Sequence, residues 1–205
     1  MKGLLIKDFY MIRTYLRITL AIVLFFLFVG AVAENGTFYY VYSCMMAGIV
    51  PISLLSYDER EHWMDYAETM PLSATTIVLS KYLLGLVFAC AITVLATLSH
   101  IVNCIRYAGG DLSAAANMAA VFFCLSLLPS ILLMPVLIRF GVEKGRLLYY
   151  VLFGGMFGIL AILGLQDRFS LLKVGGSAFF VAAVFCALWV CSLLFSRAAY
   201  PKRER

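Results

Sequence analysis

Charged residues interrupt this chain at wide intervals and leave six stretches free of them: 18–33, 35–57, 82–105, 112–138, 147–166 and 174–196. Each is at or near the roughly 20 residues a helix needs, at about 1.5 Å of rise per residue, to cross a hydrocarbon core. The pattern predicts six spans, over about 15–33, 37–57, 80–105, 113–138, 147–166 and 174–196. The first reaches span length only by including Tyr15 and Leu16, with Arg17 snorkelling toward the headgroups. A β-barrel would show short alternating segments instead of unbroken apolar runs. Only Glu34 to Thr37 separates the first two spans, so they form a hairpin turning at Asn35-Gly36.

Ahead of the first run, Leu5, Phe9, Ile12 and Leu16 follow the i, i+4, i+7, i+11 spacing of one helical face, with Lys7, Arg13, Thr14 and Arg17 on the other. Residues 1–14 read as an amphipathic helix that lies in the interface and bends into span 1. A span that simply begins early, flanked by Lys7 and Arg13, is the alternative the pattern leaves open. Ala31-Val32-Ala33 fits a signal-peptide cleavage site, but the region before the apolar run is long for one, and cleavage would remove a span.

The stretch SYDEREHWMDYAETMPLS, residues 56–73, is different in kind, with five acids between Asp58 and Glu68. Asp58 can N-cap a helix, with Glu61 completing a capping box. Trp63, Tyr66, Ala67 and Met70 then form an apolar stripe, Asp58, Glu59, Asp65 and Glu68 sit largely off it, and Pro71 stops the helix. Ser73 caps the next helix, which runs through Lys81-Tyr82 into span 3. Residues 58–72 are thus expected to form a short cytoplasmic helix with an aromatic stripe and acidic flanks. An anionic leaflet repels such a surface, which suits a protein partner better than lipid. A solvated connector with Trp63 anchored at the interface is the alternative.

Composition places the chain in the membrane class: 64% of residues are hydrophobic and 13% charged, with a mean hydropathy of +0.98. With the N-terminus cytoplasmic, thirteen Lys and Arg fall in inside segments and only Arg106, Arg168 and Lys173 outside. That split requires an even number of spans, both termini inside, in a multi-pass cell-membrane protein. The net charge of +5 then reports orientation and contact with anionic membrane lipids, with no nucleic-acid partner implied.

The six cysteines lack metal-binding spacing and read as packing residues, and His62 and His100 are far apart. The chain has neither a G-x-S-x-G frame nor a phosphate loop, the nearest stretch, Gly141 to Gly145, lacking the Lys-Ser/Thr ending. No catalytic residue, metal or cofactor is therefore expected in this chain. The predicted spans hold no acid or base for a proton or sodium relay, and residues 1–105 and 106–205 show no repeat. A secondary transporter or an intramembrane enzyme without an ATPase partner is the alternative class.

Glu61-His62-Trp63-Met64-Asp65-Tyr66, followed by Met70-Pro71-Leu72-Ser73 and by Val78-Leu79-Ser80-Lys81-Tyr82, resembles the loop after the second span in membrane subunits of ABC-2 type exporters. Lys2-Gly3-Leu4-Leu5-Ile6-Lys7-Asp8-Phe9 resembles their N-terminus. The resemblance implies an all-α integral membrane protein forming one transmembrane domain over 1–205. It implies a permease that pairs with an identical or homologous second permease subunit and with two ABC ATPase subunits, which would bind ATP and Mg. The loop would be the coupling helix, with Asp58, Glu59, Glu61, Trp63, Tyr66, Glu68 and Met70 as the ATPase-docking surface. The translocation pathway would lie between the subunits, with Tyr39, Tyr42, Met46 and Pro51 of span 2 as candidate lining. In span 5, Gly154 and Gly158 have the spacing of a close helix crossing. One departure is Ala74-Thr75-Thr76, where such permeases often carry basic residues. An apolar pathway in a bacterial plasma membrane would suit an amphipathic peptide, a lipid or a hydrophobic drug.

Overall fold

The computed structural model describes residues 2–34, 36–69, 73–107, 112–141 and 178–199, with isolated positions at 147, 151, 154 and 155. Among the described residues the elements are all helices: α1 (Lys2–Tyr15), α2 (Arg17–Val32), α3 (Thr37–Ala47), α4 (Ile49–Arg60), α5 (Trp63–Glu68), α6 (Ala74–Tyr107), α7 (Leu112–Phe140) and α8 (Ala178–Ala199). Four stretches are long and apolar enough to cross a membrane: Thr37–Arg60, Thr75–Tyr107, Asn117–Phe140 and Phe180–Ala198. Ile6–Thr14 with Arg17–Val32 makes a fifth if the pair is one bent span. Most of the span expected over 147–166, Gly158 included, lies outside the described residues.

The bend between α1 and α2 is 72° and falls at Leu16, whose ψ of 10° leaves the helical range. Two packing demands meet there. Leu4, Asp8 and Ile12 of α1 and Leu16 at the bend are buried, whereas α2 buries Val23, Leu27 and Gly30 along the bundle. The expected face of α1 is therefore corrected. Ile12 and Leu16 lie on the buried side, but Phe9 is 60% exposed and the buried stripe is completed by an aspartate; the side chain of Leu5 lies outside the described set.

A second break falls at Gly48, between α3 and α4, for a covalent reason. Pro51, in the first turn of α4, has no N–H for the Ala47 carbonyl and its ring crowds that position. Gly48 also lets α3 and α4 approach α7 closely, since a Cβ there would stand 2.5 Å from Pro129 Cγ. Pro51 is buried, and its Cγ lies 3.1 Å from where a Cβ on Gly85 of α6 would be. It packs between α4 and α6. In α7, Pro135 deprives the Ile131 carbonyl of its helical donor, and the Ser192 hydroxyl of α8 donates to it at 2.9 Å.

Apolar packing then fills the space between helices. One cluster joins Ile52 and Leu55 of α4 to Val78 and Tyr82 of α6, Leu133 and Leu137 of α7, and Leu193 of α8. Another, toward the α2–α3 turn, joins Val23, Leu27, Tyr40, Cys44, Ile92 and Phe122. At that far end the last carbonyls of α2 would be left without donors in an apolar medium. Asn103 Nδ2 donates to the carbonyls of Gly30 (3.1 Å) and Ala33 (2.7 Å), and the Tyr107 hydroxyl to that of Val32 (2.9 Å). At the other end, here the near end, the Tyr82 hydroxyl meets those of Ser192 (2.8 Å) and Ser196 (2.7 Å). Ser192 beside Ile131 and Ser196 beside Tyr82 fix α8 parallel to α7, both ending at the near end.

A candidate coupling site at the near end of the bundle

α4 continues without a break through Asp58 to Arg60, so the apolar run preceding it carries a charge into the bundle. Asp58 is therefore not the N-cap of the loop helix, and the capping box with Glu61 does not form. α5 begins only at Trp63, after His62 has turned the chain with a φ of 53°. This left-handed conformation costs an L-residue about 1–2 kcal/mol. Likewise α6 begins at Ala74 and brings Lys81 into the packed part of the helix. The expectation that the spans hold no acid or base is thereby corrected, because each helix extends beyond its charge-free run.

Asp58 and Lys81 meet two residues of α1. Lys81 Nζ stands 2.6 Å from Asp8 Oδ1 and 2.5 Å from Asp58 Oδ2, the second being a charge contact without hydrogen-bond alignment. Lys7 Nζ donates to Asp58 Oδ1 at 2.5 Å and lies 3.5 Å from Asp8 Oδ1. Both carboxylates are fully buried, Lys81 is 4% exposed and Lys7 24%. The result is a neutral quartet of two lysines and two aspartates tying α1, α4 and α6 together. Asp8 Oδ2 accepts no hydrogen bond from a described residue. Desolvating four charges costs several kcal/mol per ion, and the alternation of signs is what compensates it.

Trp63 closes the outer side of this site. Its ring centroid is 4.1 Å from Lys7 Nζ and 5.4 Å from the ring of Tyr66. The indole is half-buried against the cluster formed by α4, α6, α7 and α8, and Ala67 of the same helix is fully buried. Of the docking residues read from the sequence, Tyr66 is 56% exposed, Glu61 is exposed and Glu59 is partly buried. The Glu68 side chain and Met70 lie outside the described residues. Glu59 reaches toward the end of α7, with Oε1 3.3 Å from where a Cβ on Gly141 would be. Ser73 directly precedes α6, and its hydroxyl contacts those of Thr75 (2.9 Å) and Thr76 (2.7 Å). The threonines that stand where basic residues were expected thus close the first turn of α6.

Of the candidate lining residues Pro51 is buried, and Tyr39, Tyr42 and Met46 are partly exposed. Tyr42 and Tyr39 lie 4.5 and 6.1 Å, ring to ring, from Phe26 of α2, and Met46 packs on the far-end cluster. Gly154 has nothing within 4 Å of the position its Cβ would take. Sequence reasoning missed Lys7, Asp8 and Lys81 as site residues. The available signal was an adjacent Lys-Asp pair on an otherwise apolar face and a single lysine inside a long apolar helix.

A bundle of membrane-crossing helices, with buried ion pairs at one end and a short helix seated on them, defines a multi-pass membrane protein. The chain belongs to the family described as ABC-2 family transporter protein, whose family model matches residues 3–200. Membrane subunits of this kind work in transport together with ABC ATPase subunits. No curated protein and no solved structure matches the chain.

Proposed function

We propose that this chain is the membrane subunit of an ATP-driven exporter, forming the pathway as a dimer and taking its energy from two separate ATPase subunits that bind ATP and Mg. The family match over residues 3–200 carries the reading. The subunit itself is non-catalytic. Its near end faces the cytoplasm of a bacterial cell, both termini lie there, and α5 is the element against which an ATPase docks.

Several features support this arrangement. The distribution of Lys and Arg, thirteen in the segments assigned inside and three outside, favours both termini on the cytoplasmic side. Exposed Glu61 and Tyr66 give the docking surface an acid and a rigid aromatic, while Trp63 fixes α5 to the bundle. An apolar interior with balanced charges suits an amphipathic peptide, a lipid or a hydrophobic drug as cargo.

Affinity purification of the tagged chain in mild detergent tests the reading. An ABC ATPase is expected to copurify in equal proportion, and ATP turnover is expected only when it is present. Saturable ATP binding by the chain alone, or the failure of any ATPase to copurify, would sink the proposal.

A further inference from the structure

The quartet is built so that one lysine can change partner while no buried carboxylate loses its cation. Lys81 touches both Asp8 and Asp58, at 2.6 and 2.5 Å, and compensates either one. Lys7 is bonded to Asp58 at 2.5 Å and already stands 3.5 Å from Asp8, so a shift on the order of 1 Å exchanges its partner. The acceptor side is also prepared. Asp8 Oδ2 is buried and accepts no hydrogen bond from a described residue, and Asp58 Oδ2 meets Lys81 without alignment. A fully satisfied network holds one geometry; this one has acceptor capacity left for a second.

Lys7, the lysine that can exchange its partner, is also the one in contact with the loop helix. Trp63 of α5 covers Lys7 Nζ at 4.1 Å and meets the tilted ring of Tyr66, which is exposed, at 5.4 Å. A push on the exposed edge of α5 therefore reaches the quartet through two aromatic rings and one ammonium group. α1 bends directly into α2, α4 continues α3 beyond Gly48, and α6 runs as one helix to Tyr107 at the far end.

We propose that the quartet is a coupling joint, in which displacement of α5 passes through Trp63 to Lys7 and Lys7 exchanges between Asp58 and Asp8, shifting α1 against α4 while Lys81 holds both to α6. The inference rests on the permease reading above. It adds Lys7, Asp8, Asp58 and Lys81 as positioning residues that touch neither nucleotide nor cargo.

The experiment uses the complete complex with its copurifying ATPase, native cysteines replaced, and Ile105→Cys as a reporter at the exposed far end of α6. Maleimide labelling of that cysteine is followed with and without a non-hydrolysable ATP analogue and Mg. In the unsubstituted chain the analogue should change the labelling rate about fivefold, the low end of ordinary coupling between sites. A quadruple variant, Lys7→Met, Asp8→Asn, Asp58→Asn and Lys81→Met, removes the charges in balance. It should keep its unfolding midpoint and its ATPase but lose the analogue-dependent change. Lys7→Arg should retain the change and Lys7→Met should lose it. A quadruple variant that binds the ATPase and responds fully to the analogue overturns the joint and leaves the permease reading standing. If no ATPase copurifies with the unsubstituted chain, the permease reading itself fails, and the joint with it.

Discussion

Replacing Lys81 by methionine, which keeps an unbranched chain of similar length, removes the charge that both buried carboxylates share. Unit charges about 4 Å apart attract by about 4 kcal/mol at an effective dielectric constant near 20. In the intact quartet desolvation offsets much of this, so the net stabilisation is modest. The loss of one cation is another matter, because it leaves two buried carboxylates sharing Lys7, whose bond is to Asp58. Breaking a buried pair from one side costs about 3–5 kcal/mol, and Lys81→Met should fall in that range. Asp8→Asn alone leaves a cation in excess and should also destabilise. The double variant removes one charge of each sign and should be more stable than the two single losses predict, by about 2 kcal/mol of coupling. Unfolding of the purified chain in mixed micelles of rising SDS content measures these values. Intrinsic fluorescence is a local reporter here, since one of the two tryptophans lies against Lys7 and the other, Trp189, meets Tyr82, the residue after Lys81, edge to face. A cost below about 1 kcal/mol for Lys81→Met, or strict additivity in the double variant, would refute the electrostatic account.

Other outcomes follow from the same structure. Tyr66→Ala should weaken ATPase association by about 2 kcal/mol, read by a binding titration, and leave the SDS midpoint in place, because its ring is outward. Trp63→Ala should lower both, since the indole packs on the bundle and on Lys7; equal stability of the two variants would contradict this. Gly48→Ala places a methyl group 2.5 Å from the rigid Pro129 ring and should cost about 1–3 kcal/mol in the same titration. A cysteine at position 59 should be protected from impermeant maleimide in intact cells, and labelling from outside would invert the orientation argued from the lysines and arginines.

The helices were legible because an apolar run in lipid has few choices, and the hairpin at Glu34–Thr37 because no other residues were available to turn it. What the pattern missed was the reach of the helices beyond those runs. Asp58 has the D-x-x-E spacing of an N-cap, but helix α4 continues beyond it because α1 supplies Lys7 as a partner, and nothing local to residues 58–61 encodes that. Asp8 breaks the apolar periodicity of α1 for the same reason. Its i, i+4 neighbours Leu4 and Ile12 are apolar, and Lys81, distant in sequence, makes burial of a carboxylate among them possible. Pro51 was read as a pathway candidate from its place in the span, and its effect on the helix hydrogen bond to Ala47, where α3 gives way to α4, follows from ring geometry alone.

Between helices in lipid, apolar contact says little about register, because a lipid tail is as apolar as a leucine. A neutral quartet of buried charges gains little stability over hydrophobic residues of the same volume, so stability alone does not account for it. What it does supply is one alignment of α1, α4 and α6, since sliding any of them by a full turn, about 5.4 Å, leaves a carboxylate without a cation. Lys7 and Asp8 belong to the N-terminal stretch by which the chain resembles the ABC-2 permeases, Trp63 to the loop and Lys81 to the start of α6. Scattered along the sequence, they meet at one point in the fold, where Trp63 lies on Lys7 and Lys81 lies between Asp8 and Asp58. The three stretches are parts of a single site, and the helix proposed to dock an ATPase is seated on the charges that set the alignment of α1, α4 and α6.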